Sequence, residues 1–119
     1  MSTDPPISTL CRLEELSDPG SRGFSVPRPD GVWDIFVVRR GREVFAYRNH
    51  CPHTGGPLDW VPDQFLDMDG AYIQCATHDA RFVIESGRCV AGPCTGDALA
   101  SVAVAVQDGW VVVTEPPAA

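Results

Sequence analysis

Asn49-His50-Cys51-Pro52-His53 and, further along, Gln74-Cys75-Ala76-Thr77-His78 are the two stretches that decide how this chain is read. Each offers one thiolate and one imidazole, and in each the Cys comes first. C-x-H followed by C-x-x-H does not fit a zinc finger, where Cys is paired with Cys and His with His. It does fit a [2Fe-2S] centre in which two His replace two Cys on one iron. Such a centre takes two protein ligands on each iron, and the ligand pairs must converge from two loops on a buried inorganic core. Spacings this short let one loop deliver a thiolate to one iron and an imidazole to the other.

The flanks extend the pattern. Thr54-Gly55-Gly56-Pro57 follows the first pair, and glycine there lets the backbone wrap tightly and aim N–H groups at sulfur. Phe82, Gly87 and Gly92-Pro93 follow the second pair. With these residues the chain resembles the Rieske-type iron–sulfur proteins, and in size the small Rieske ferredoxins, over residues 44–113. The resemblance implies one Rieske [2Fe-2S] cluster per chain, with Cys51 and Cys75 on the inner iron. His53 and His78 would bind the outer iron, near solvent, and Gly92-Pro93 would sit in a third, shielding loop. It also implies an antiparallel Rieske fold: a base of strands from both ends of the chain and a cluster-binding part over about 43–96. Two neutral imidazoles remove negative charge from the cluster and raise its potential above that of all-Cys ferredoxins.

Three other readings stand beside this one. A structural zinc site wants four convergent ligands in a tetrahedron, and C-x-H is an unusual spacing for it. A fold that had lost its cluster has no reason to keep all four ligands. Chance placement in ordinary loops leaves the matched flanks unexplained.

Departures from the family's pattern carry information of their own. The family's high-potential members have an extra Cys in each ligand loop, and these form a disulfide; Gly56 and Thr77 stand there here. Those members also place a Ser and a Tyr after the second ligand pair, with hydroxyls bonded to sulfur. The matching residues here are Ala80 and Phe82, and neither can donate from its side chain. Asp79 follows His78 where the family has Gly, and a carboxylate beside the outer iron disfavours adding an electron. The missing hydroxyl donors and Asp79 both push the potential down, to an expected value on the order of −150 mV.

Composition agrees with an all-β domain. The chain has 119 residues with 11 Gly and 11 Pro, a balance that favours short strands and tight turns. The pattern predicts a single domain over 1–119, with tails at 1–6 and 115–119. Strands are expected at 7–12 and 22–26, and as hairpins at 33–40 with 43–48, 82–84 with 88–90, and 98–106 with 109–114. A shorter lead at 71–74 enters the second ligand loop, and a short helical turn or a turn-like link is expected over 13–16. In the last hairpin Val102, Val104 and Val106 alternate with small residues as in a half-buried strand.

The formal net charge of −7, with pI near 4.7, repels nucleic acid and anionic membranes, so neither is an expected partner. It suits docking on a basic patch of another protein, with a solvated acidic surface as the plain alternative. No apolar run approaches a membrane span. Met1-Ser2-Thr3-Asp4-Pro5-Pro6 lacks the basic and apolar regions of a secretory leader. Together with an odd count of five Cys, this points to a reduced, cytoplasmic setting.

Of the remaining candidates, Cys11 is expected to be a buried, inert thiol and His50 an exposed or hydrogen-bonded loop residue pointing away from the ligands. Cys89 and Cys94 flank Ala91-Gly92-Pro93, and one or both are expected near the cluster, with a disulfide between them as a lesser alternative. The 21 residues between His53 and Cys75 (54–74) are more than a compact ferredoxin needs. Their excess, around 59–69 with Trp60, Phe65 and Met68, is read as a loop packed on its own apolar residues rather than as a docking surface.

No Ser-His-Asp set, phosphate loop or dinucleotide motif is present. The expectation is a one-electron carrier with no small-molecule substrate of its own. It would take electrons from a reductase and pass them to a terminal oxygenase or similar acceptor by way of His53 and His78. The alternatives are a small non-catalytic subunit of a larger redox enzyme and a redox or iron–sulfur sensor.

Overall fold

Ile35-Phe36-Val37-Val38 is a continuous apolar run, and all four residues are buried. A strand can bury consecutive residues only if both of its faces are covered. That is the case here: Phe36 and Val38 enter one core, and Ile35 and Val37 enter another. The run lies in β3 (Gly31–Arg40), at the centre of the chain's largest sheet. The computed structural model describes residues 8–28, 31–50, 52, 58, 63–75, 80–92 and 95–114.

β3 pairs with β2 (Gly20–Arg28) on one side and β4 (Glu43–Arg48) on the other. A two-residue strand, β8 (Ser101–Val102), completes the order β2-β3-β4-β8. A second sheet joins the two ends of the described chain in the order β1-β10-β9, from β1 (Ser8–Arg12), β10 (Trp110–Val113) and β9 (Val104–Gln107). The third is small, with β5 (Tyr72–Gln74), β6 (Arg81–Val83) and β7 (Cys89–Ala91) in sequence order. Every strand pairing among the described residues is antiparallel. The described helix is a 3-10 turn at Leu13–Glu15, inside the expected 13–16.

The large sheet is the middle layer. On one side Val26, Ile35, Val37, Ala46 and Val102 pack against Cys11, Val111 and Val113 of the second sheet. On the other, Phe36, Val38 and Tyr47 pack against Ile73, Phe82 and Cys89 of the third. The third sheet is therefore mounted on a base that both chain ends help to build.

Two elements differ from the sequence-based expectation. β2 runs two residues further at each end than 22–26 and carries Pro27 through its ladder opposite Val32. β2 is an edge strand, and Pro27 shares the parity of Gly23, whose N–H points out of the sheet to Asp63 Oδ1 at 2.8 Å. The missing N–H of Pro27 thus costs no ladder bond. The expected strand at 98–106 is instead two strands. β8 pairs with β4 and β9 with β10, and the chain changes sheets at Ala103. Ala103 O accepts the Thr114 N–H at 2.9 Å across this corner. Beyond the corner, burial fades along β9, from half-buried Val104 to exposed Val106.

Candidate metal centre

Cys75 is the residue immediately after β5, and Ala80 the residue immediately before β6. The Cys75 N–H donates to Ala80 O at 2.9 Å, which closes the loop 76–79 at its base. Cys75 is 1% exposed and Ala80 is fully buried. The expected ligand Cys75 thus lies in an apolar wall beside Ala80.

The described residues on either side of the expected first ligand loop are also tied down. The Asn49 N–H donates to Asp34 O at 2.9 Å, and the Asn49 side-chain oxygen accepts the Leu58 N–H at 2.7 Å. One side chain thus clasps the two ends of the loop that holds Cys51 and His53. Leu58 is fully buried and packs in the same core as Cys75, Ala80, Phe82 and Cys89. The two loops are anchored in one apolar wall, as a shared buried group requires.

A third segment closes on this wall. Gly92 has φ +93, and a Cβ built there would lie 2.8 Å from Ala80 Cα. Only glycine accepts both that backbone and that approach, so the chain entering the expected shielding loop lies directly against the mouth of the second ligand loop. Cys51, His53, His78, Gly56, Thr77, Asp79, Trp60, Pro93 and Cys94 lie outside the described residues. What is described fits a cluster on three counts: a buried thiol, two loops clasped at their ends, and a glycine that lets a third loop approach.

The other candidates fall as follows. His50 is exposed, and its N–H donates to Arg48 O at 2.9 Å. Cys11 is buried in the other core, where burial pushes its thiol up and Arg22 partly opposes the shift. Cys89 is on the inner face beside Phe82, with its thiol donating to Ala91 O at 3.2 Å. The described part of the 59–69 loop is packed into the main core rather than on itself. Phe65 is fully buried and stacks on Phe36 at 4.3 Å, while Met68 stands clear at 103% exposure.

Sequence reasoning missed Asn49 and Tyr47. Asn next to a ligand Cys is a residue that bonds its own loop, a signal that could have been used. Tyr47 carried no such signal. Its hydroxyl donates to Ile84 O at 2.6 Å, tying the large sheet to the β6–β7 turn.

The family model of the Rieske [2Fe-2S] domain matches residues 9–113. The 3-phenylpropionate/cinnamic acid dioxygenase ferredoxin subunit of Photorhabdus laumondii is 30% identical over 105 residues, covering 88% of this chain and 90% of that protein. The ferredoxin of carbazole 1,9a-dioxygenase from Nocardioides aromaticivorans IC177 has a TM-score of 0.71 at 28% identity, covering 97% of this chain and 100% of that one. A chain from the complex of reduced oxygenase and oxidized ferredoxin in carbazole 1,9a-dioxygenase shares the fold, with a TM-score of 0.73 at 24% identity over 92% of this chain and 94% of that one. The chain belongs to the Rieske [2Fe-2S] domain family. Its cofactor is a Rieske-type [2Fe-2S] cluster, and it is an electron-transfer protein of the ferredoxin kind rather than a catalyst.

Proposed function

We propose that this chain carries single electrons from a reductase to a terminal oxygenase, with Cys51, His53, Cys75 and His78 holding the cluster. The observation that carries this reading is the shared anchoring of the two ligand loops. Leu58, at the end of one, and Cys75 and Ala80, at the ends of the other, pack in one buried core. The ferredoxin relatives in dioxygenase systems support the choice of acceptor.

When bound, the cluster supplies a one-electron couple. The chain's residues do the rest. The apolar wall of Leu58, Ala80 and Phe82 keeps water from the Cys75 side of the site. Asn49 and the Cys75–Ala80 bond fix the loop ends, so gain and loss of an electron need little rearrangement of the ligands. His53 and His78 would form the exposed exit.

The domain is read as 1–119, with the cluster-binding part over 43–96 and a cytoplasmic location. Among the described residues no helix is long and apolar enough to cross a membrane. Nucleic acid, membrane and small-molecule substrates are not partners in this reading.

The test is anaerobic purification, iron and sulfide analysis, and EPR of the reduced protein. Mixed His/Cys ligation gives an average g below that of all-Cys ferredoxins, and His78→Cys should raise it. An all-Cys spectrum in the unmutated protein, or zinc in place of iron and sulfide, overturns the assignment. Reduction by a flavoprotein reductase, followed by turnover of an added Rieske oxygenase, tests the direction of transfer.

A further inference from the structure

Phe82 faces Cys89 across β6 and β7, yet one residue further along β6 Arg81 faces Ala91. Val90 is therefore an extra residue in β7, a β-bulge, and its side chain is exposed. An unbroken ladder would set Val90 opposite Arg81 and Ala91 opposite Ala80. With the extra residue in place, Gly92 comes to lie on Ala80, where a Cβ would stand 2.8 Å from Ala80 Cα. The bulge thus brings a glycine to the one place in this segment that only glycine can occupy. Bulges beside functional sites re-aim a chain in this way.

Cys89 spans the bulge. Its thiol donates to Ala91 O at 3.2 Å, past Val90. Its own N–H donates to Asp97 O at 2.8 Å, and its carbonyl accepts the Gly96 N–H at 3.4 Å. The chain from 90 to 96 therefore leaves and returns at this one residue. Cys89 is 2% exposed and packs in the core that holds Cys75, Ala80 and Phe82. Further out, Gly92 O accepts the Thr95 hydroxyl at 2.7 Å and the Thr95 N–H at 3.3 Å. Thr95 is exposed. The segment is thus fastened at its root by a buried thiol and at its turn by a surface hydroxyl.

We propose that Cys89 is a positioning residue of the metal centre: its S–H bond to Ala91 O holds the bulge that seats Gly92 on the second ligand loop, and this seat keeps water from the cluster. The proposal rests on the cluster assignment above. Cys89 acts here as a hydrogen-bond donor and not as a ligand. A buried thiol is a small apolar filler that also carries a donor. The two properties separate on substitution. Valine fills the space and has no donor. Serine keeps a donor and packs less well in an apolar core. A filler and a positioning donor therefore predict opposite orders for Cys89→Val and Cys89→Ser.

The experiment uses the cluster-loaded protein and two readouts. One is the rate at which excess EDTA bleaches the cluster. The other is the deuterium modulation in pulsed EPR of the reduced protein after transfer to D2O, which reports solvent close to the iron. Cys89→Val is expected to speed bleaching about tenfold, in the range seen when residues supporting metal ligands are lost, and to deepen the modulation. Cys89→Ser should stay within about twofold of the unmutated protein, with the modulation unchanged. Thr95→Val removes the outer fastening at an exposed position, where core packing is not altered, and should shift both readouts in the same direction as Cys89→Val. Cys11→Val makes the same substitution in the other core and should leave both readouts unaltered.

The reverse order, with Cys89→Ser fast and Cys89→Val like the unmutated protein, makes Cys89 a core filler and overturns the proposal. Equal effects of the two substitutions, or none, overturn it as well. If neither Cys89 variant takes up a cluster, Thr95→Val decides: faster bleaching with deeper modulation upholds the seat on Ala80, and unaltered readouts remove it. Each of these outcomes, in a protein that shows the mixed-ligand EPR signal, leaves the electron-carrier reading standing. Absence of that signal in the unmutated protein removes both.

Discussion

Phe82 sits fully buried on the inner face of β6, between Ile73 and Cys89. It shares its core with Cys75 and Ala80, beside the expected cluster. Phe82→Tyr should raise the midpoint above the expected value on the order of −150 mV, as voltammetry would show. An unchanged midpoint means that the hydroxyl does not reach sulfur. Tyr47 poses the converse case, a hydroxyl already satisfied. Its bond to Ile84 O spans two sheets, and burial, with Glu85 adding to it, pushes its pKa from 10.0 to about 12. The folded protein therefore holds this proton more tightly than the unfolded chain. Its stabilisation is complete below the unfolded value of 10.0 and is lost as pH rises through about 12. Tyr47→Phe should cost about 1–2 kcal/mol at neutral pH and weaken the fall in stability over that alkaline window, measured by urea unfolding.

At the scale of elements, the described part of the long loop before β5 behaves as an extension of the fold. Ser21 Oγ donates to Asp63 O at 2.7 Å and accepts the Phe65 N–H at 3.1 Å. Leu66 then bridges to Ile73, and the Gln74 N–H donates to Phe65 O at 2.9 Å. Ser21→Ala removes both hydroxyl bonds and should cost about 1–2 kcal/mol, with faster amide exchange at Phe65 and Gln74. Stability and exchange like those of the unmutated protein would show that Phe65 packing alone holds the loop. The sequence showed Phe65 as an apolar residue in an irregular stretch. It did not show that the ring stacks on Phe36, because that contact joins residues remote in sequence. The β8–β9 corner was illegible for a related reason: the valine alternation continues across Ala103, while the pairing partner changes from β4 to β10.

At the scale of the molecule, one central sheet serves two cores, and the β5-β6-β7 sheet is the less self-sufficient partner. β5, β6 and β7 have three residues each, whereas β2 pairs with β3 along nine positions. Metal binding couples to folding where ligands come from otherwise weak elements. Removal of the cluster by acid or chelation should therefore raise amide exchange in β5–β7 first, while the β2–β3 ladder stays protected. Simultaneous loss of protection in both would mean that the domain folds as one unit around the cluster.

The sequence by itself determined the chemistry. Two Cys and two His in that order and spacing, with the glycines and prolines around them, are local, and ligand chemistry depends on residue type and short spacing. It also determined the all-β class and most of the hairpins, since alternation and turn residues act over a few positions. Only the tertiary structure decided which sheet each strand joins, where the middle layer lies, and how Asn49, Ala80 and Gly92 fasten the loops. Those outcomes depend on contacts between distant segments. A backbone atom 2.8 Å from where a Cβ would stand leaves no mark in the sequence beyond a single glycine.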